Sequence, residues 1–220
     1  MIELLHMDCM EYMKGVPDKF FDLAIVDPPY GINIAKNGTL NTSSNTIKIY
    51  KPKQWDNAKP TFEYFNELKR VSKNQIVWGG NYFTELWDNE CRGFIHWDKM
   101  NHTDNRADGE FAWTSFDRVS MNFRYMWDGN RYGFEGKING VGLPTTRIHV
   151  TEKPIALYKW LLKNYAKEGD KIFDSHGGSM SIAIACHDMK FDLTLCEIDK
   201  DYYEAGVKRF ENHKKQLTIF

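Results

Sequence analysis

The strongest constraint on the fold lies in the last third of the chain, where short apolar runs alternate with helical patterns. Lys153-Pro154 opens a helix through Tyr165, Lys171-Ile-Phe-Asp174 is a short strand, and Ser179 to Asp188 is a helix. Phe191 to Cys196 is a strand, and Lys200 to Lys215 an amphipathic final helix. Strand and helix in that alternation predict a doubly wound parallel sheet. The first half carries related pieces. Phe21 to Val26 is apolar apart from Asp22 and runs straight into Asp27-Pro28-Pro29-Tyr30, where two prolines forbid both helix and ladder pairing. Thr61 to Ser72 places Phe62, Phe65, Leu68 and Val71 at helical spacing, and Gln75-Ile-Val-Trp78 reads as a second buried strand ended by Gly79 and Gly80. Gly93 to Trp97, Glu110 to Ser115 and Asn122 to Trp127 are further predicted strands, whose Trp97, Trp113 and Trp127, with Trp78, read as core. Together these predict one α/β domain over residues 1–220 with a Rossmann-like, doubly wound sheet.

Two stretches interrupt that pattern. Residues 31–60 turn to Asn, Thr, Ser, Gly and Lys, with Lys36, Lys48, Lys51, Lys53 and Lys59 against Asp56 alone, a local net of +4. So few apolar groups predict a mobile basic loop, and a loop of that length is usually functional or disordered. Residues 98–144 form a second insertion, in which Arg106, Arg118, Arg124 and Arg131 stand among acids. Arginines so placed either read base edges or make surface ion pairs.

The chain as a whole, with 29 Lys+Arg against 30 Asp+Glu and a net charge of -1, excludes a protein that holds a polyanion by bulk charge. Its 42% hydrophobic residues can bury a sizeable core. Cys9, Cys91, Cys186 and Cys196 form no CxxC pair and no zinc spacing, so reduced thiols and no metal are expected. The N-terminus lacks a basic start and an unbroken apolar stretch, and no run approaches the roughly 18 apolar residues of a membrane span. A cytoplasmic protein without a membrane partner is expected.

Two constellations carry chemistry. Asp174-Ser175-His176-Gly177-Gly178-Ser179 follows a strand and opens a helix, so small residues bring backbone N–H groups close to a ligand at the helix N-terminus. Glu197, 23 residues beyond Asp174, ends the next strand, where an acid takes ribose hydroxyls. The bland alternative is a tight strand–helix corner with a surface acid. In Asp27-Pro-Pro-Tyr30, a carboxylate and the locked Pro28 carbonyl can both accept from an exocyclic aromatic amine, which localises the nitrogen lone pair. Tyr30 offers a flat face for an unstacked base. Here the bland alternative is a rigid loop capped by a surface tyrosine.

Asp27-Pro28-Pro29-Tyr30, preceded by Asp22-Leu-Ala-Ile-Val26, resembles the catalytic motif of the S-adenosylmethionine-dependent amino methyltransferases that modify adenine N6 or cytosine N4 in DNA. Other segments are similar to that family in the order of the subclass whose catalytic motif precedes its cofactor motif. Met7-Asp8-Cys9 resembles the motif at the cofactor adenine, and His149-Val-Thr151-Glu-Lys153-Pro154 the motif near its methionine end. Phe173 to Ser181 with Glu197-Ile-Asp199 resembles the glycine loop and the ribose-binding strand end. The likeness spans residues of about 3 to 212 and is closest to the short enzymes of phages and prophages.

The resemblance implies S-adenosylmethionine as cofactor and double-stranded DNA as partner, with a homodimer as one assembly open to it. It assigns Asp27, Pro28, Pro29 and Tyr30 to catalysis, and Asp8, Cys9, Asp27, His149, Thr151, Lys153, Phe173, Asp174, Ser175, Gly177, Gly178, Ser179, Glu197 and Asp199 to the cofactor. Lys36, Lys48, Lys51, Lys53, Arg106 and Arg124 are the candidate DNA contacts. An Asp at position 27 favours adenine, because the cytosine enzymes more often have Ser there. The alternatives are cytosine-N4 methylation, an inactive binding protein of the same fold, and methylation of RNA or a protein amide, against which the Asp also counts. Met180 stands where the family has a second glycine; the expectation is that it already lies in the first helical turn. On the final helix, Lys208, Arg209, Lys214 and Lys215 read as a solvated face.

Overall fold

A computed structural model describes residues 1–34, 36, 39–40, 48–49, 52–87, 92–100, 107–126, 137–138, 141–142, 148–149 and 151–216. In chain order the elements begin with β1 (Ile2–His6), α1 (Cys9–Lys14), β2 (Phe21–Val26) and the two-residue strands β3 (Thr39–Leu40) and β4 (Lys48–Ile49). Next come α2 (Phe62–Val71), β5 (Ser72–Trp78), two 3-10 turns (Gly80–Tyr82 and Thr84–Leu86), β6 (Phe94–Asp98), β7 (Gly109–Thr114) and β8 (Met121–Arg124). The short strands β9 (Lys137–Ile138) and β10 (Val141–Gly142) precede α3 (Ile155–Tyr165), β11 (Lys171–Asp174), α4 (Ser181–Met189), β12 (Asp192–Glu197) and α5 (Lys200–Lys214). The residues divide into two compact units. One comprises Met1–Asp27, Asn66–Ile76 and Thr151–Phe220, and the other Pro28–Phe65 and Val77–Val150.

In the first unit the strand order is β1-β12-β11-β2, with the start of β5 beyond β2. β12 pairs in parallel with both β1 and β11, and β11 in parallel with β2. The predicted βαβα segment is therefore present, with ends moved by one or two residues. Strand β1 has no counterpart in the sequence reading. Its Ile-Glu-Leu-Leu-His gives little alternation, and it forms because β12 offers it a pairing edge, Leu4 opposite Leu195 and His6 opposite Glu197. Buried residues on both faces of β2 and β12 fit strands covered by helices on each side. Phe173 lies in this core, stacked between Phe21 at 4.7 Å and Tyr12 at 5.8 Å.

Helix α4 buries Ile182, Ala183, Ile184 and Ala185 in succession, as a helix inside a core does, and α5 buries Tyr202, Gly206 and Phe210 at four-residue spacing. One expectation fails here. Met180 precedes the first turn of α4 and adopts the left-handed conformation, φ 56 and ψ 28. That backbone costs a side chain about 1–2 kcal/mol. Full burial of the thioether contributes about 1.5–3 kcal/mol in the other direction. The side chain has room because Gly206 lies beside it: a Cβ there would stand 2.8 Å from both Cγ and Sδ of Met180.

The second unit takes up the end of β5 in the order β5-β7-β6-β8. β6 runs antiparallel to β7 and parallel to β8, so the sheet is mixed rather than wholly parallel. The connection from β6 to β7 explains this, since it is too short for the crossover of a dozen or more residues that parallel neighbours require. Trp78 and Trp97 meet edge to face at 6.4 Å in the core, as their strand placement predicts; Trp127 lies outside the described residues. Among the described residues no helix is long and apolar enough to cross a membrane.

Candidate active site

Because β1, β12, β11 and β2 run parallel, their C-terminal ends share one edge of the first unit, the position where open α/β sheets bind ligands. Asp27 follows β2, Asp174 ends β11, Glu197 ends β12, and Met7-Asp8-Cys9 follow β1. Sequence reasoning named each of these; pairing places them at the same edge.

Lys153 donates to Oδ2 of Asp27, the lysine side chain being 3% exposed and the aspartate side chain 18%. Buried ammonium and half-buried carboxylate thus neutralise one another and set the carboxylate's direction. Asp174 is buried beside them. Burial, with the nearby Asp27 and Glu197 carboxylates, pushes its carboxyl up from 3.8 to about 8. Oδ1 of Asp174 accepts from the His176 N–H at 2.9 Å. Between those two values the folded chain holds a proton that the unfolded chain has lost, so this group's contribution to stability falls as pH rises through the window and levels off above about 8. Asp174→Asn keeps an acceptor and cannot ionise. It is expected to raise the thermal midpoint at pH 8 and leave it nearly unchanged at pH 4; an equal shift at both pH values would contradict the assignment.

The glycine turn is held from two sides. Glu197 accepts from the Gly178 N–H at 2.7 Å through one oxygen and from the Asp199 N–H at 2.7 Å through the other, and burial raises its carboxyl. Gly177 donates to the Cys196 carbonyl at 2.8 Å, and a Cβ on it would lie 2.9 Å from Leu195 Cγ. Packing on Leu195 therefore requires glycine here, as in the tight strand–helix corner that was the bland alternative for this turn. Ser175 Oγ and His176 Nδ1 stand 2.8 Å apart, and burial lowers the His176 imidazole to about 4. Ser179 Oγ is 3.0 Å from Ser181 Oγ. Arg209 departs from its reading as part of a solvated face: it donates to the Ser179 carbonyl at 2.7 Å and pairs with the buried Glu152 at 3.1 Å. It holds the turn against the segment that carries Thr151 and Lys153.

Other assigned residues have local duties. Asp8 caps α1 by accepting from Met10 and Glu11, and Asp199 caps α5 by accepting from Tyr202. Burial beside Asp8 pushes the Cys9 thiol up to about 12. Phe173 is a core side chain, so only its backbone belongs to the edge. Ile198, unassigned from sequence, stands 61% exposed next to Glu197, and its carbonyl lies 3.2 Å from His6 Nε2.

The rest of the tetrapeptide belongs to the second unit. Tyr30 stacks on Tyr82 at 4.8 Å with 13° between the rings, and meets Phe83 edge-on. Gly79, in the left-handed region at φ +68, faces the ring, where a Cβ would be 2.6 Å from Cζ and 2.7 Å from Cδ1. Neither Gly79 nor Tyr82 was singled out for function, although the glycine pair ending a strand was visible. His149 packs its ring on Trp55 at 5.2 Å. Among the candidate DNA contacts, Lys36 is exposed and Lys53 half-buried; Lys51 and Arg106, and the side chain of Lys48, lie outside the described residues. Arg124 pairs with Asp98 at 3.1 Å, the surface ion pair that was one of its two readings.

Known proteins share this fold. The chain is 21% identical to the Type II methyltransferase M.HinfI of Haemophilus influenzae, across 96% of its own length and 68% of that protein's. Its fold is similar to that of M1.HpyAVI, solved as a complex with SAM, at a TM-score of 0.60 and 20% identity over 95% of this chain and 100% of that one. A similar fold, again at 0.60 but 11% identical, is that of PvuII DNA methyltransferase, which is cytosine-N4-specific, covering 100% of this chain and 88% of that one. A family model described as DNA methylase matches residues 49–208, from β4 through the glycine turn and into α5. With Asp174, the glycine turn and Glu197 inside the matched segment, which begins after Asp27-Pro28-Pro29-Tyr30, the chain belongs to this N6/N4 DNA methylase family.

Proposed function

We propose that the chain transfers a methyl group from S-adenosylmethionine to N6 of an adenine flipped out of double-stranded DNA. The observation that carries the reading is the Asp27 carboxylate, held in one direction by the buried Lys153 at the edge that also bears Asp174, Gly177, Gly178 and Glu197.

The edge fits the cofactor. In this reading the Gly177-Gly178 turn runs along the ligand, Glu197 directs its carboxylate at a ribose diol, and exposed Ile198 offers an apolar surface to the adenine ring. S-adenosylmethionine supplies an electrophilic methyl on its sulfonium. Thr151 and Lys153 lie toward the methionine end in this reading, and Asp8 and Cys9 toward the adenine.

Asp27 and the Pro28 carbonyl would accept from the exocyclic amine of the target base, which draws electron density onto the nitrogen as it bonds the methyl carbon, while the carbon–sulfur bond breaks to leave a neutral thioether and one amine proton passes to solvent. Tyr30, seated on Tyr82, takes the base plane and removes freedom the base would otherwise lose during transfer. Lys36 and Lys53, with Lys48, Lys51 and Arg106, contact phosphates. Adenine is preferred because of Asp at position 27. Mass spectrometry of nucleosides from unmethylated plasmid DNA incubated with protein and cofactor is expected to give N6-methyladenine. N4-methylcytosine instead would reassign the base, and neither product would reject the DNA reading.

A further inference from the structure

We propose that Asp56 is a positioning residue for the target base: its buried carboxylate sets the turn from Tyr30 to Ile34 and, through it, the plane of the Tyr30 ring. This rests on the reading that Tyr30 stacks a base during methyl transfer.

Asp56 is the sole acid of the lysine-rich stretch 31–60, yet it is 2% exposed. Its Oδ1 accepts from the N–H of Tyr30 at 2.8 Å and of Gly31 at 2.9 Å, and its Oδ2 from Ile34 at 3.0 Å. The Asp56 backbone carbonyl accepts from Asn33 at 2.9 Å. Four N–H groups within five residues converge on one side chain and its carbonyl. The turn achieves this with Gly31 at φ +71 and Asn33 at φ 58, a succession that points neighbouring N–H groups toward a common anion. Burying a carboxylate is costly unless several donors meet it, so this one holds its place only with the turn in this shape. An ordinary surface turn would be served by water or by its own side chains. The acid is itself braced. Asn57 N–H closes a turn onto the Gln54 carbonyl at 3.1 Å, and Trp55 lies against His149.

What this clamp fixes is Tyr30, whose backbone is tied by its N–H and whose ring is bounded by Tyr82, Phe83 and Gly79. Transfer depends on in-line placement of amine and methyl, and a shift of about 1 Å costs on the order of 10²-fold in rate. Releasing the clamp should therefore act on turnover. It should leave cofactor affinity intact, because apart from His149 the residues assigned to the cofactor belong to the other unit.

The test compares wild type, Asp56→Ala and Asp56→Asn for kcat and KM on unmethylated plasmid DNA, and for S-adenosylmethionine affinity by calorimetry. Asp56→Ala is expected to lower kcat about 100-fold with cofactor affinity within threefold of wild type. Asp56→Asn, which retains one acceptor oxygen, should recover about a tenth of the wild-type rate. Should the alanine variant not fold, the folded Asn variant decides, and wild-type kcat from it overturns the proposal. Wild-type kcat from Asp56→Ala overturns it as well, as does a loss confined to cofactor affinity. If wild type itself methylates no DNA, the functional reading fails instead, which separates the two.

Discussion

Asp27→Ala is expected to lower kcat for methyl transfer by about 10³-fold while the protein still binds S-adenosylmethionine. The rate term follows from removing an acceptor directed at charge that develops on the amine, which costs about 10²–10³-fold in comparable sites. Stability should fall too, and the two effects can be separated. The substitution removes the Asp27 partner of the Lys153 side chain, which is 3% exposed, and breaking a buried pair costs up to about 3–5 kcal/mol. In a chain of this size that lowers the thermal midpoint by about 10 °C. Adding Lys153→Met removes the other half of the pair, so the double variant should regain most of the midpoint and none of the activity. A single variant within tenfold of wild-type kcat would remove Asp27 from the mechanism.

Gly79→Ala should lower both stability and rate, for a steric reason. The residue sits at φ +68, where an alanine costs about 1–2 kcal/mol, and its Cβ would enter the Tyr30 ring at 2.6–2.7 Å from Cζ and Cδ1. Forcing the ring aside adds about 1–3 kcal/mol and unseats Tyr30 from Tyr82. A lower thermal midpoint together with at least a tenfold loss of kcat, measured well below that midpoint, is the expected result. Gly169→Ala is the control. At φ +86 it has the same backbone strain but nothing within 4 Å of its Cβ, so it should lower the midpoint by the smaller amount and leave kcat alone. Equal kcat losses at the two positions would show that the clash with Tyr30 is not the cause.

Much of the first unit was legible in the sequence, since Lys171–Asp174 and Asp192–Glu197 are apolar runs bounded by turns and followed by helical periods. Strand direction was not. The antiparallel β6–β7 pair depends on how far the chain travels between them, and an apolar pattern reads alike in either direction. Arg209 looked solvated because helical spacing alone cannot show that Glu152 and the Ser179 carbonyl come to meet it. Asp56 looked like a stray acid in a basic loop for the same reason, its partners lying more than twenty residues earlier.

Residue types in their order established the chemistry available to this protein: a carboxylate, two prolines and a tyrosine at a strand end, and a glycine turn followed by an acid. Those are properties of short segments, set by local sterics and by the groups each side chain carries. Tertiary structure alone decided which acids and turns lie at one sheet edge, and where a side chain had to accept an unfavourable backbone. Asp27, after β2, pairs with Lys153, just before α3, across 126 positions of sequence, and Met180 holds a left-handed φ where Gly206 leaves space for its side chain. Both depend on contacts distant in sequence, whose energies no local window contains.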